Sequence, residues 1–429
     1  MSQMFKLLPL AMALGLVVMP AHATYSIIAC DEQTHACGVA VQTNNLAVGA
    51  SVPFAAAGVG AIVSQFETNP NYGPQALALL SQGEPPADAL KQILSDDHNF
   101  DGGTIADRQV AIVSADGKTA VHTGRNARNS PWAGSRSGKG YSIQGNGLVG
   151  AGVIDAMERA YLETQGSLAA KLMAALIAGD AAGGQSTGRE SAALLVKTPS
   201  GWPIDVDLRV DDSRDPVAEL NRLYSMNNAR QQVIAARRAA LHGNPELAKS
   251  LLLEAVAQSS NWPRVLLPAA HVAVEIGEPA LALGYLNTVF SNHPAWIATE
   301  LGDGTYAALG HEPEFHRWIT ADVEGTVKTK AEAFAKMSSP SQEQRLQVAQ
   351  RLLEIDRSKQ AIAILKEENP DSHNDPHTEY LLAVAYSALG NPAEGQKYCR
   401  NALENTVADK QLHLQLIWLN KKLIALEKR

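Results

Sequence analysis

The feature that most constrains this chain is a change of period near residue 211. Before it, short alternating apolar runs recur with helical stretches between them. After the polar break "DDSRDP" (211–216), strand signals vanish and only helical periodicity remains. A single core does not accommodate both patterns over 429 residues, so the break is read as a domain boundary. The expected division is 1–23, 24–215 and 216–429.

The first segment reads as a secretory leader. Lys6 supplies the positive start, "LLPLAMALGLVVM" (7–19) the apolar core, and Ala21-His22-Ala23 a small-x-small cleavage site. The apolar core has 13 residues, short of the roughly 20 that a membrane span needs. No later stretch is long and apolar enough to span a bilayer. The expectation is an exported protein, periplasmic or secreted, without an integral span once the leader is removed. The net charge of −8 argues against nucleic acid as a partner.

From Thr24 to about residue 210 the order is strands, helix pair, strands, helix pair, strands. "TYSIIA" (24–29) and "CGVAVQT" (37–43) read as a hairpin, and "GAIVSQ" (60–65) as a strand. "PQALALLSQ" (74–82) and "PADALKQILS" (86–95) read as helices. "QVAIVS" (109–114) and "TAVHTG" (119–124) form a second hairpin around Asp116-Gly117. The Gly- and Ser-rich stretch 126–140 reads as a loop and "YSIQGN" (141–146) as a short strand. Helices are expected at about 152–165 and 167–179, and strands over 191–197 and 203–210. Helix pairs between antiparallel strand groups imply two stacked sheets with helices outside both. Cys30 and Cys37 bracket the turn "DEQTHA", where an oxidising compartment permits a disulfide, subject to register. Cys399 reads as a buried, inert thiol. No cysteine or histidine pattern has metal-ligand spacing, and no metal or cofactor is expected. The loop "GDAAGG" precedes a strand, not a helix, and so is a poor phosphate cradle.

Beyond residue 216, Gly243-Asn244-Pro245, Gly277-Glu278-Pro279 and Gly310-His311-Glu312-Pro313 are turns 34 and 33 residues apart. Asp356 and Gly390 repeat the spacing of 34. A helix-turn-helix period of this length is tetratricopeptide-like, and such arrays stack into surfaces that bind peptide or protein.

Cleavage after Ala23 makes Thr24 the first residue. A threonine hydroxyl is a weak nucleophile until a base takes its proton. At a chain terminus the α-amine is that base, with a reference pKa of about 7.7 to 8.0. No Lys or Arg occurs between Thr24 and Leu90, so the amine has no cationic neighbour in sequence. Neutral amides stand where strands end: Gln42, Asn44, Gln65, Gln144 and Asn146. Side-chain amides can donate to a developing oxyanion without adding charge.

The runs "TYSIIACDEQTHACGVAVQTNNLAVGASVPFAAAGVGAIVSQFETNPNYGPQAL", "PWAGSRSGKGYSIQGN", "GDAAGGQSTGRESAALLV" and "VDLRVDDSRDPVAEL" resemble the DUF1028 family over about 24–222. The resemblance implies an N-terminal-nucleophile-hydrolase-like fold, a four-layer αββα sandwich of α+β class, followed here by the all-α repeat region. It places the family's initial threonine at Thr24. The lysine used by proteasome-type threonine hydrolases has no counterpart before Lys91, so a penicillin-acylase-like use of the amine fits better. Gln185 stands where the family motif is expected to carry Asp, and Arg189 is the expected anchor for a substrate carboxylate. The expected function is hydrolysis of a small-molecule or peptide amide. The alternative is a non-catalytic binding protein whose helical repeats take a protein or peptide partner.

Overall fold

The computed structural model describes residues 23–201, 204–367, 375–406 and 409–428. Apart from Ala23, the expected leader lies outside the described residues. The chain divides into two compact units, 1–224 and 225–429. The division falls beyond the "DDSRDP" break, because the helix that starts at Pro216 first serves the N-terminal unit. Its Val217 and Leu220 are buried in that unit's core.

The first unit contains two antiparallel sheets. The strands are β1 (Thr24–Cys30), β2 (Cys37–Thr43), β3 (Pro53–Ala56), β4 (Gly60–Phe66), β5 (Arg108–Ser114), β6 (Thr119–Thr123), β7 (Gly134–Gly138), β8 (Tyr141–Asn146), β9 (Ser191–Lys197) and β10 (Val206–Val210). One sheet runs β10-β9-β2-β1-β8-β7, the other β3-β4-β5-β6. The helices are α1 (Tyr72–Ser81), α2 (Pro86–Ser95), the short α3 (Arg125–Arg128), α4 (Gly152–Glu163) and α5 (Leu168–Ala181).

Strand alternation sorts the side chains into layers. Tyr25, Ile27, Ile143 and Leu194 of the six-stranded sheet pack on Met157 of α4 and on Leu172 and Leu176 of α5. Ile62, Val110 and Ile112 of the four-stranded sheet pack on Tyr72, Ala76 and Ile93 of α1 and α2. Ile28, Val39, Val41, Val63, Ala111 and Val113 fill the space where the two sheets face each other. Each such fully buried aliphatic contributes roughly 1.5 to 3 kcal/mol. Cys30 and Cys37 are directly opposed in the β1–β2 register and form a disulfide.

The sequence reading missed three elements of the first unit. The stretch 126–140, expected as a loop, contains α3 and β7. β7 is "GSRSG", with no apolar alternation, because it is a sheet edge that pairs only with β8 and leaves Ser135, Arg136 and Ser137 exposed. β3 is four residues long and was hidden by its opening proline.

The helix α6 (Pro216–Leu241) runs from the first unit into the second, where it is followed by α7 (Pro245–Gln258), α8 (Pro263–Glu275), α9 (Pro279–Asn292), α10 (Trp296–Glu300), α11 (Pro313–His316), α12 (Ala321–Ala335), α13 (Gln342–Glu354), α14 (Ser358–Leu365), α15 (Pro376–Ala388), α16 (Pro392–Asn405) and α17 (Lys410–Glu427). Three of the expected turns share one construction. Gly243, Gly277 and Gly390 take left-handed φ of 76°, 76° and 68°, and a proline opens the next helix one residue after its N-cap. Asn244 and Asn391 also cap their helices through side-chain oxygens. Gly310 differs. It is right-handed, at φ −56°, and a Cβ there would sit 2.0 Å from the carbonyl oxygen of Leu353. That glycine is required by close packing on the end of α13, and it stands between short segments, not between two long helices. Cys399 is buried and unbridged, and burial pushes its thiol up to about 12. Among the described residues no helix is long and apolar enough to cross a membrane.

Candidate functional site

Thr24 opens β1, a central strand of its sheet. It faces Thr43 of β2 on one side and Asn146 of β8 on the other. Pairing on both sides holds the strand start rigid where a free end would fray. By alternation Thr24 and Ser26 point between the sheets, on the face that carries Ile28. Thus one end of the inter-sheet layer is polar and the rest apolar.

Within that polar end the donors and acceptors form a connected set. The Thr43 hydroxyl donates to the Ala23 carbonyl at 2.8 Å, and Thr24 Oγ1 lies 3.0 Å from Thr43 Oγ1. A hydroxyl has one proton to give, so Thr24 is the donor of the second bond. Ser26 Oγ donates to Gln65 Oε1 at 2.7 Å. Gln65 Nε2 donates to the Thr24 carbonyl at 3.2 Å and to Gln109 Oε1 at 2.8 Å. Gln109 Oε1 also accepts from Asn146 Nδ2 at 2.9 Å, and Gln109 Nε2 donates to the Gly145 carbonyl at 3.0 Å. Gln144 Nε2 makes a long 3.4 Å bond to the Gln109 carbonyl. The acceptor oxygens Asn146 Oδ1 and Gln144 Oε1 are buried and have no partner among the described residues.

Five of the sequence-predicted residues therefore meet or adjoin one another: Thr24, Gln65, Gln144, Asn146 and, at the rim, Asn44. Asn44 Oδ1 accepts from the Ala23 amide at 3.2 Å, and its Nδ2 donates to Thr187 Oγ1 at 2.8 Å. Gln42 does not join them. It is one residue out of phase with Thr43, so its side chain leaves the inter-sheet face, and its amide caps the Thr43 carbonyl at 3.0 Å. Arg189 is not an open anchor. It makes two bonds to Asp180, at 2.9 and 2.7 Å, with Asp215 at 3.8 Å, so its fork already holds a carboxylate. Gln185 bridges Leu148 across an isolated pair, and both its amide atoms are buried without a partner among the described residues.

Sequence reasoning missed Thr43, Ser26 and Gln109. The available signal was parity. In "RQVAIVS" and "GAIVSQF", Gln109 and Gln65 occupy the inward phase otherwise held by alanine and valine. A polar residue in the buried phase of two paired strands marks a change of environment.

The surroundings are tightly built. Phe66, next to Gln65, holds a left-handed φ of 68°, and Ala47, beyond the end of β2, one of 55°. Such conformations cost about 1 to 3 kcal/mol each and persist only where neighbours impose them. Behind β4 and β5, Arg108 donates to Asp97, to the Glu67 carbonyl and to the Phe100 carbonyl, and Tyr72 also bonds Asp97. These groups are buried, and the Arg108 guanidinium and its hydrogen-bonding neighbours outweigh desolvation to hold the Asp97 carboxyl below its usual range. The Tyr25 hydroxyl, on the helix side of β1, is pushed well above its ordinary value by burial and by the Asp180 charge. Among the described residues no group of side chains could hold a metal ion.

A family described as one of unknown function, DUF1028, matches residues 24–220. A solved structure, that of protein SPO2555 from Silicibacter pomeroyi, described under the same family, is 33% identical. The match covers 47% of this chain and 88% of that one, with a TM-score of 0.42. The chain belongs to the DUF1028 family. The family match begins at Thr24, the first residue of β1, and ends at Leu220, inside α6. The DUF1028 region therefore contains the whole polar cluster and none of the second unit. No curated protein matches this chain.

Proposed function

We propose that the DUF1028 unit is an amide hydrolase of the N-terminal-nucleophile type, exported and activated by removal of residues 1–23. On this reading its two facing sheets and outer helices are the αββα sandwich of that class. One observation carries the proposal: the residue that follows the expected cleavage site is a buried threonine, rigidly paired on both sides, inside a lysine-free amide cluster. With Ala23 attached, the Thr24 nitrogen is a peptide amide and cannot serve as a base. Cleavage frees it. It also removes the Ala23 carbonyl that takes the Thr43 proton, leaving Thr43 able to donate toward Thr24 Oγ1.

The step then balances. The α-amine takes the Thr24 hydroxyl proton as Oγ1 bonds to the substrate carbonyl carbon. The oxyanion collapses, the C–N bond breaks, and the proton passes to the leaving amine. Water repeats the sequence on the resulting ester and releases the acid. Gln109 fixes the orientation of the cluster. Because Gln109 Oε1 holds Asn146 Nδ2, the free Asn146 Oδ1 is an acceptor suited to the α-ammonium of Thr24, not an oxyanion donor. Gln144 Nε2, with the weakest existing bond, is the donor most readily turned to an oxyanion.

The helical unit reads as a tetratricopeptide-like partner-binding module, supported by the repeated Gly-x-Pro turns at 243, 277 and 390. The test of the enzymatic reading is covalent. A β-lactone should acylate Thr24 of the exported protein, and Thr24→Ala should abolish labelling while leaving export and folding intact. Labelling undiminished in Thr24→Ala would refute it.

A further inference from the structure

We infer that the helical unit contains a binding site for a zwitterionic apolar ligand, a free amino acid or short peptide with both termini charged. The inference does not depend on the chemistry at Thr24.

A cavity of about 590 Å³ lies between α6, α8 and α17. That is within the range of about 300 to 1,000 Å³ typical of small-ligand sites. Arg237 and Arg238 of α6 line it together with Glu275, the last residue of α8. Glu275 is the unusual member. Its side chain is 13% exposed, its Oε2 is buried without a hydrogen-bond partner among the described residues, and Gln411, which also lines the cavity, favours the charged carboxylate by side-chain hydrogen bonding. The nearest cation, Arg237 Nη2, stands 3.9 Å from the other oxygen, too far for a hydrogen bond. A carboxylate oxygen left without a donor in a buried setting is costly. Burial pushes its carboxyl above the usual range, against the opposing pull of Arg237, His271 and Gln411.

The two charge types select the ligand. A simple anion would satisfy the guanidiniums but face the negative charge of Glu275. A simple cation would satisfy Glu275 but face two arginines. A molecule with an ammonium and a carboxylate a few bonds apart satisfies both. Ile234, Leu241, Pro268 and Val272 supply apolar wall for its side chain.

The wall opposite α6 is preorganised. His271, also lining the cavity, bonds Glu300 at 2.6 Å, and the Tyr306 hydroxyl donates to the same oxygen at 3.1 Å. Thr305, another lining residue, lies in a loop fastened from below. The amides of Gly302, Gly304 and Tyr306 donate to the buried Glu354 carboxylate at 2.8, 2.9 and 3.2 Å. Such locking lowers the ordering cost of binding.

Calorimetric titration of the full exported chain tests this with L-leucine, leucyl-leucine, N-acetyl-leucine and leucinamide. The zwitterions should bind, and blocking either terminus should weaken binding by about tenfold or more. Glu275→Gln should erase the preference for a free ammonium. Arg237→Gln with Arg238→Gln should erase that for a free carboxylate. The inference is overturned if neither zwitterion binds up to about 10 mM, if blocked and free forms bind alike, or if folded variants discriminate as the parent does. The wild-type comparison alone decides the matter should a variant fail to fold.

Discussion

At the residue scale, everything turns on which atoms around Thr24 have partners. Gln109 is the organiser: one oxygen receives both Gln65 and Asn146. Gln109→Leu should leave two buried amide donors without acceptors, at about 1 to 3 kcal/mol each. A fall of several degrees in melting temperature, with reduced β-lactone labelling, is the expected result. On the proposed mechanism the freed amine sets a pH dependence with a definite sign. Only the neutral amine can accept a proton, so labelling should rise with pH through the amine pKa, near 7.7 to 8.0 if unperturbed. Replacing Asn146 with Asp should move that rise to higher pH, because a carboxylate stabilises the ammonium. A pH profile of labelling rate checks both. Thr24 was singled out in the sequence because position relative to an expected cleavage site is a one-dimensional reading. Gln109 and Thr43 were not, because their roles depend on which strands face each other. The parity of a single strand does not contain that information. The pairing of Arg189 with Asp180 was hidden for a similar reason: the two are separated by a Gly-rich loop whose path the sequence does not reveal.

At the element scale, the β1–β2 hairpin was readable almost to the residue, because two short apolar runs flank a polar turn, whereas the pairing of the cysteines depended on a register that only the structure supplies. β7 was not readable, since an exposed edge strand has no apolar face to announce it. The hairpin disulfide closes a short loop beside the strand that carries Thr24. Replacing Cys30 and Cys37 with serine should lower stability by about 2 to 3 kcal/mol, read by chemical denaturation. In the helical unit, Glu354 links α13 to the loop 302–306. Burial pushes its carboxyl up to about 7 despite three backbone donors. An acid whose folded pKa exceeds its unfolded value stabilises the fold most when protonated. Glu354's contribution is therefore full below about 4.5 and is lost as pH rises through about 7. Glu354→Gln should flatten that part of the stability-versus-pH curve, measured by melting between pH 5 and 8.

At the scale of the whole molecule, the chain joins two folding patterns with different periods, and each unit has its own core. The break was visible as a change of period. The compact units divide beyond it, at 224, because α6 begins in the N-terminal core and ends in the C-terminal one, and helical periodicity does not record which core a turn serves. The family match respects the same division, stopping within α6. The two proposed sites are chemically related: hydrolysis of a peptidic amide releases molecules with a free ammonium and a free carboxylate, the pair of charges that the helical cavity complements. The central claim remains the identity of the first residue and its reactivity. Tandem mass spectrometry of the N-terminal peptide, after exposure of the exported protein to a β-lactone, measures both at once. The account predicts a peptide that begins at Thr24 and carries the acyl group on that residue. A mature chain starting elsewhere, or an adduct on another side chain, would contradict it.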